Sequence, residues 1–312
     1  MKKLIPALCI LISFHAHAQI TSYYDWQWKP CDVSLARFFS VVKKTDSGWL
    51  RNDFFISSSK LQMTGLYKDE ATEIANGWFS YFYPNNQLSS AGRYVNGKKD
   101  GLWLSYHYKG MMSDSSFYRN GGITGTSIGW HSNGYMKDSV EYSNDGKAVY
   151  VSWFDNGIAS SAGRLVNGKQ DGAWQYFHKN GRLAALEKYR QDQLLSRIYY
   201  DEAGLQQTDT VDRDHSAVFK GNEIKWKNYV ENNLLWPHDV KIVNSDIVTI
   251  MLVATINEEG NVEDVYVNVP FDPLFDDEAL RVMKKSPKWT PAVDHNRKVK
   301  TVVRQTISFN QE

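Results

Sequence analysis

One interval recurs through the middle of this chain. Taking the last residue of each expected turn as a mark, Asn86, Gly110, Gly134, Gly157, Gly181 and Gly204 follow one another at spacings of 24, 24, 23, 24 and 23. Four residues before each mark stand Phe82, Tyr106, Trp130, Trp153, Phe177 and Tyr200, all aromatic. Eight residues after the first five come Tyr94, Tyr118, Tyr142, Leu165 and Tyr189. A fixed period of this size marks a chain built from stacked units. The two ring positions lie 12 residues apart, half the period, so each unit is expected to hold two strands, each delivering one ring to the same face. Asn-Gly at 76–77, 96–97, 120–121, 133–134, 156–157, 167–168 and 180–181 favours the left-handed backbone of a type I′ hairpin turn. Segments such as Trp174-Gln175-Tyr176-Phe177 show no helical period. A degenerate earlier unit with Phe55, Leu61, Gly65 and Tyr67 fits a mark at Ser59. The expected architecture is a single antiparallel sheet of β-hairpins.

Such a unit cannot stand alone. Two rings burying ~200 Å² each, at ~25 cal/mol per Å², contribute about 10 kcal/mol. Ordering ~24 residues costs roughly 1–2 kcal/mol apiece in backbone entropy. Neighbouring hairpins must therefore share ladder bonds and ring contacts.

Gly101-Leu102-Trp103-Leu104-Ser105-Tyr106 and Asn167-Gly168-Lys169-Gln170-Asp171-Gly172-Ala173-Trp174-Gln175-Tyr176-Phe177, together with Lys60-Leu61-Gln62-Met63-Thr64-Gly65 after Phe54-Phe55, resemble the MORN-variant repeats of bacterial proteins, some of them antitoxin components. The likeness spans roughly residues 48 to 204. It implies a hairpin scaffold for interactions and names no activity.

Composition narrows the function classes. The 312 residues carry 36 Lys+Arg against 35 Asp+Glu, a balance that argues against nucleic-acid binding, which needs a basic surface. Eight Pro exclude a proline-rich spacer, and 14% aromatic residues stand out. At the amino end, Met1-Lys2-Lys3, the apolar run Leu4 to Phe14 and Ala16-His17-Ala18 read as a secretory signal cleaved after Ala18. An 11-residue apolar run holding Pro6 is short of the ~20 residues of a spanning helix. Cys9 leaves with the signal and Cys31 remains alone, so no internal disulfide is expected in the mature chain. The expected location is the periplasm, with membrane association only through partners.

After Gly204 the period fades, and Thr208 to His215 reads as a polar linker. A short helix is expected from about Glu223 to Asn233. Val248, Ile250, Leu252, Ala254 and Ile256 alternate as one face of a strand. Asn257 to Asn261 turns the chain into Val262 to Val269, with Val265, Val267 and Val269 on one side. Asp272 caps a helix opening at Pro273, whose buried stripe is Phe275, Ala279 and Val282 or Met283, with Arg281, Lys284 and Lys285 at its far end. A last strand runs from about Val299 to Phe309. The order is α-β-β-α-β, so the whole chain is α+β: residues 19–47 an N-terminal cap, 48–206 repeats, 207–221 linker and 222–312 a small sandwich.

Trp236-Pro237 before the first strand, Leu274-Phe275-Asp276-Asp277-Glu278-Ala279-Leu280, Pro287-Lys288-Trp289-Thr290-Pro291-Ala292 and Thr306-Ile307-Ser308-Phe309 resemble the C-terminal domain of TonB, the periplasmic energy transducer. That resemblance implies capture of an extended segment of an outer-membrane receptor by strand addition. The implied accepting edge holds Val299, Thr301, Val303, Gln305, Ile307 and Phe309, flanked by Trp236, Pro237, His238 and Val240. An energy transducer also needs an inner-membrane helix and a stiff proline-rich rod, and the sequence provides neither.

His107, His131 and His178 fall three residues before a mark. Equivalent positions in successive hairpins lie ~10 Å apart, too far to share a zinc ion at ~2.1 Å per nitrogen. No metal or other cofactor is expected. No Gly-x-Ser-x-Gly, Walker, His-Glu-x-x-His or Cys-x-x-Cys pattern occurs, so the chain is not read as an enzyme. Trp236 and Trp289 read as core residues. Lys298, Lys300 and Arg304 read as charges on a solvated edge. Two readings stay open: an exported TonB-like protein that binds an envelope receptor with the repeats as a protein-binding scaffold, or a repeat-driven, antitoxin-like binder without energy transduction.

Overall fold

A computed structural model describes residues 20–143, 145–238, 240–242 and 245–311. The expected signal segment lies outside the described residues. Fifteen antiparallel strands, from β1 (Ile20–Tyr24) to β15 (Gln193–Tyr199), form one sheet in strict sequence order. β1 and β2 (Phe38–Thr45) belong to it, so the segment expected as a cap supplies two strands.

The buried rings follow a rule the period does not announce. Phe79 on β5 (Ala75–Phe82), Trp103 on β7 (Lys98–Tyr106) and Trp174 on β13 (Lys169–Phe177) are buried seven residues before their marks. Each lies over a glycine of the preceding strand: Gly65, Gly92 and Gly163, where a β-carbon would come within 2.1–2.2 Å of the ring. The indoles of Trp103 and Trp174 donate to the carbonyls of Arg93 and Arg164 at 3.0 and 3.1 Å. Tyr94 meets Phe79 and Trp103 edge-on at 4.9 and 5.0 Å. In the central repeat the same two positions hold Ser127 and Ser116, whose hydroxyls hydrogen-bond at 2.7 Å. The inner face thus has two aromatic clusters separated by a polar stretch.

The expectation that both ring positions share a face is corrected. On β5 and β6 (Leu88–Val95) the register runs Tyr81–Ser90, then Phe82–Leu88, leaving Ser89 as an extra residue. One extra residue reverses which face the following side chains occupy, and the shift recurs in later repeats. Tyr94 therefore joins the inner cluster. Phe82, three residues on from Phe79, belongs to the opposite face, as do Tyr106, Trp130, Trp153 and Phe177 by the same count. There they pair with Leu88, Met112, Met136, Ala159 and Leu183 in one apolar row. Tyr200 lies just past β15, bridged to Gln206.

Asn-Gly also divides between two turn types. Asn96-Gly97, Asn120-Gly121 and Asn167-Gly168 have both residues at positive φ, as a type I′ turn requires. At 133–134, 156–157 and 180–181 only the glycine does. There the asparagine amides reach the next repeat, donating to the carbonyls of Asp155, Lys179 and Glu202 at 2.7, 3.4 and 2.9 Å. Asn76-Gly77 lies within β5.

The C-terminal part holds α1 (Glu223–Asn233), β16 (Ile247–Ile256), β17 (Val262–Val269), α2 (Pro273–Lys284), the short pair β18 (Ala292–Asp294) and β19 (Arg297–Val299), and β20 (Thr301–Asn310). Asn222 caps α1 through the Lys225 N–H, and Asp272 caps α2 through that of Leu274. β16 is central, between β17 and β20. Val248, Ile250, Leu252, Ala254 and Ile256 are fully buried against Phe275, Ala279, Val282 and Met283 of α2 and against Trp226 and Val230 of α1. Trp289 joins Trp226 and Phe219 in that core. Val269 departs from the expected face. A register shift between Met251 and Leu252 sends it to Phe38 and to Phe55 of β3 (Gly48–Phe55) on the repeat sheet.

These contacts set the relation between the two parts. The C-terminal part touches β2 and β3 through Val269 and β14 (Leu183–Arg190) through His295. Laid flat, β2 to β14 would span about 58 Å at ~4.8 Å per strand. A domain of ~100 residues, with a radius of gyration of ~13 Å, is about 35 Å across. The repeat sheet therefore curves around the C-terminal part, with its inner ring face turned toward it.

Candidate docking edge and the seam between the two parts

β20 pairs with β16 over ten consecutive residue pairs, from Thr301–Ile256 to Asn310–Ile247. Among the described residues no strand pairs with its other edge. Its side chains alternate. Ile307 and Phe309 lie in the helix-side core, with Val303 packed against it. Val302, Arg304, Thr306 and Ser308 are exposed on the opposite side.

The sequence-derived edge residues are thus brought together in part. Thr301, Val303, Gln305, Ile307 and Phe309 fall on β20, but the side chains of Ile307 and Phe309 are core, so at those positions only backbone faces the open edge. Val299 does not belong to this edge. The chain breaks at Lys300, and Val299 pairs with Ala292 in the β18–β19 hairpin. Trp236 packs edge-on against Phe275 and Phe309 and donates from its indole to the Val240 carbonyl at 2.8 Å. Pro237 beside it is half-buried and His238 exposed. Leu234, Trp236, Val240 and Phe309 border a cavity of about 640 Å³ at the carboxyl end of β20.

A second opening lies between the three-stranded sheet and the repeats. About 700 Å³ is enclosed by Val253 and Thr255 of β16, Asp264 and Tyr266 of β17, Val302 of β20, and Tyr83, His107, Tyr108, His131 and Lys137 of the repeats. Tyr266 stacks on Tyr108 at 4.2 Å and meets Tyr83 edge-on. The histidines have a structural part here. His107, His131 and His178 each place Nε2 2.8–3.0 Å from the carbonyl of Trp130, Trp153 or Tyr200 in the following repeat. A carbonyl only accepts, so Nε2 carries the hydrogen in all three.

The β18–β19 hairpin bolts the two parts together. Its turn residues His295 and Asn296 both have positive φ. The His295 ring stacks on Tyr176 at 3.6 Å, and its Nδ1 donates to the buried Glu187 carboxylate at 2.8 Å. Glu187 also accepts from Arg197 at 2.8 Å and from the Tyr189 hydroxyl. Burial pushes the Glu187 carboxyl up, but these donors outweigh it and hold it below the ordinary range. Asn296 donates to the Tyr200 carbonyl at 3.1 Å. Arg297, 7% exposed, bonds the Ser160 carbonyl and hydroxyl and the Phe177 carbonyl. Lys300 bridges Asp155 of the repeats at 2.6 Å and Glu263 at 3.1 Å, and Lys179 bridges Asp155 and Glu258 at 2.8 and 2.9 Å.

An open edge strand beside a two-helix layer, on a domain seated in a curved hairpin sheet, defines a small α+β module. Residues 248–311 match the family described as Gram-negative bacterial TonB protein C-terminal. That match covers β16 to β20, 64 of the 312 residues. Curated proteins provide no match to the chain. No helix among the described residues is long and apolar enough to cross a membrane.

Proposed function

We propose that this protein works in the periplasm as a TonB-like partner in TonB-dependent transport, taking an extended segment of an outer-membrane receptor onto β20. The observation that carries the reading is the unpaired edge of β20 beside ten residue pairs to β16. Backbone bonds supply affinity in such an addition, and pockets for alternate side chains supply selectivity. No catalytic step is proposed. The repeats, which resemble MORN-variant units, hold the module in place through the bolt at His295, Asn296 and Arg297.

Two proline variants test this. Along an edge strand, backbone N–H groups point alternately to the neighbour and to the open side, so one of Val303 and Arg304 has its N–H outward. Proline there keeps the β16 ladder and removes an outward donor. The variant of the pair that retains its circular dichroism should lose binding to receptor segments. Undiminished binding by that folded variant removes strand addition.

A second reading, the repeats as a binder in their own right, is favoured by the apolar row Phe82–Leu88–Tyr106–Met112–Trp130–Met136 on the face away from the C-terminal part. Trp130→Ser with Phe177→Ser should then abolish partner capture while β20 remains intact.

A further inference from the structure

We infer that the repeat sheet is the second wall of the β20 edge and that it selects a segment whose sheet-facing side chains are acidic. The inference rests on strand addition at β20 and gives the repeats a part in recognition as well as support.

The alternation of β20 sets the geometry. Val302 and Arg304 stand opposite Thr255 and Val253, and those two residues line the opening shared with the repeats. A strand laid beside β20 would alternate in the same way. Half its side chains would meet the helix side, where Leu234, Trp236 and Val240 give the cavity an apolar part beside the polar Glu231, Lys241 and Gln311. The other half would enter the mouth of the opening walled by His131 and Lys137.

The charge left over at that mouth is positive. Asp264, the acid lining the opening, is already held by Lys109 at 2.8 Å and Ser132 at 3.3 Å. Lys300 is engaged by Asp155 and Glu263. Arg304 makes no ion pair among the described residues, and Lys137 has only Asp138 at 3.5 Å. Lys137 and Lys284 on the opening, with Arg304 next along β20, are therefore cations able to take a new carboxylate, in a half-enclosed place where screening is weaker than on open surface. The fitting occupant is an extended segment alternating apolar and acidic residues.

Three labelled nonapeptides test this by fluorescence anisotropy, with valine at alternate positions and glutamate, serine or lysine between. The glutamate peptide should bind the full chain about tenfold more tightly than the serine peptide, because its carboxylates gain charge-assisted bonds that partial exposure weakens, and lysine should bind weakest. Lys137→Glu, an exposed change on the repeats, should flatten or reverse that order. Equal binding of all three, or a glutamate preference untouched by Lys137→Glu, overturns the repeat wall and leaves strand addition standing. Failure of all three on a folded chain overturns strand addition itself, and the wall with it.

Discussion

The indole of Trp103 lies flat over Gly92, so closely that a β-carbon there would stand 2.2 Å from the ring. Gly163 stands in the same relation to Trp174 at 2.1 Å. Both rings are buried and anchored through the indole N–H, so neither can swing aside without losing that bond. Gly92→Ala and Gly163→Ala should each cost about 1–3 kcal/mol, the usual penalty for overfilling a packed site. Urea unfolding reads the loss, and an unchanged midpoint in both variants contradicts the ring-on-glycine account.

The bolt at Glu187 is expected to be the weak point of the seam. Its carboxylate is 1% exposed and receives Arg197, Tyr189 and His295. Glu187→Gln keeps the volume but leaves the Arg197 guanidinium only the exposed Asp212, at 3.3 Å, as a counter-charge. Breaking a buried pair from one side costs about 3–5 kcal/mol. The His295 tip should disengage, and the polar stretch from Thr208 to Asp214 should become a preferred protease site. Digestion identical to that of the unaltered chain would count against the bolt.

Much of this fold is legible in the sequence because period and face are local properties. The alternation Val248 to Ile256, the Asp272 cap and the buried stripe of α2 depend on neighbours a few residues away. The hairpin period is legible for the same reason. The inner ladder is not, because its face depends on one extra residue per repeat, Ser89 in the first, which shifts register without disturbing the spacing of the rings. The Gly92–Trp103 and Gly163–Trp174 pairs, both 11 residues apart, are the signal that could have located the buried rings. The seam is less legible still. Glu187 and His295 are 108 residues apart, and nothing local to either marks the other as its partner. The interruption at Lys300, which removes Val299 from the edge, lies at the same seam, where Lys300 meets Asp155.

Asp276 should make the protein more stable toward mild acid. Burial, opposed chiefly by the Phe271 N–H, pushes its carboxyl up to about 6. A folded value above the unfolded value of 3.8 means that the native state holds the proton more firmly. The stability this gives is full below pH 3.8 and is lost as pH rises through about 6. Asp276→Asn, which keeps an acceptor for Phe271, should raise stability above pH 7 by about 1–2 kcal/mol, the full linkage value reduced for partial exposure. The gain should vanish below pH 4. Melting curves across pH 3.5–8 check this, and a pH-independent difference would assign the effect to something other than the charge.

Asp155 acts with the opposite sign and ties the two parts of the chain together. Burial raises its carboxyl, but hydrogen bonds from Lys179 and Lys300 prevail and hold it at about 2. A depressed value gives stability that is present above the unfolded value of 3.8 and lost as pH falls toward about 2. Since Lys300 belongs to the C-terminal part, that loss should loosen the seam. Small-angle scattering should therefore show the chain expanding between pH 4 and pH 2, before the far-ultraviolet signature of the sheet is lost. Asp155→Asn should be expanded already at neutral pH and show a shallower acid transition. Raised salt should reproduce part of the expansion, because the half-exposed lysines of this network are screened within a Debye length of ~8 Å at physiological ionic strength. A seam that stays closed in the Asp155→Asn chain at every pH would show that the hairpin at His295 holds it without help from the lysines.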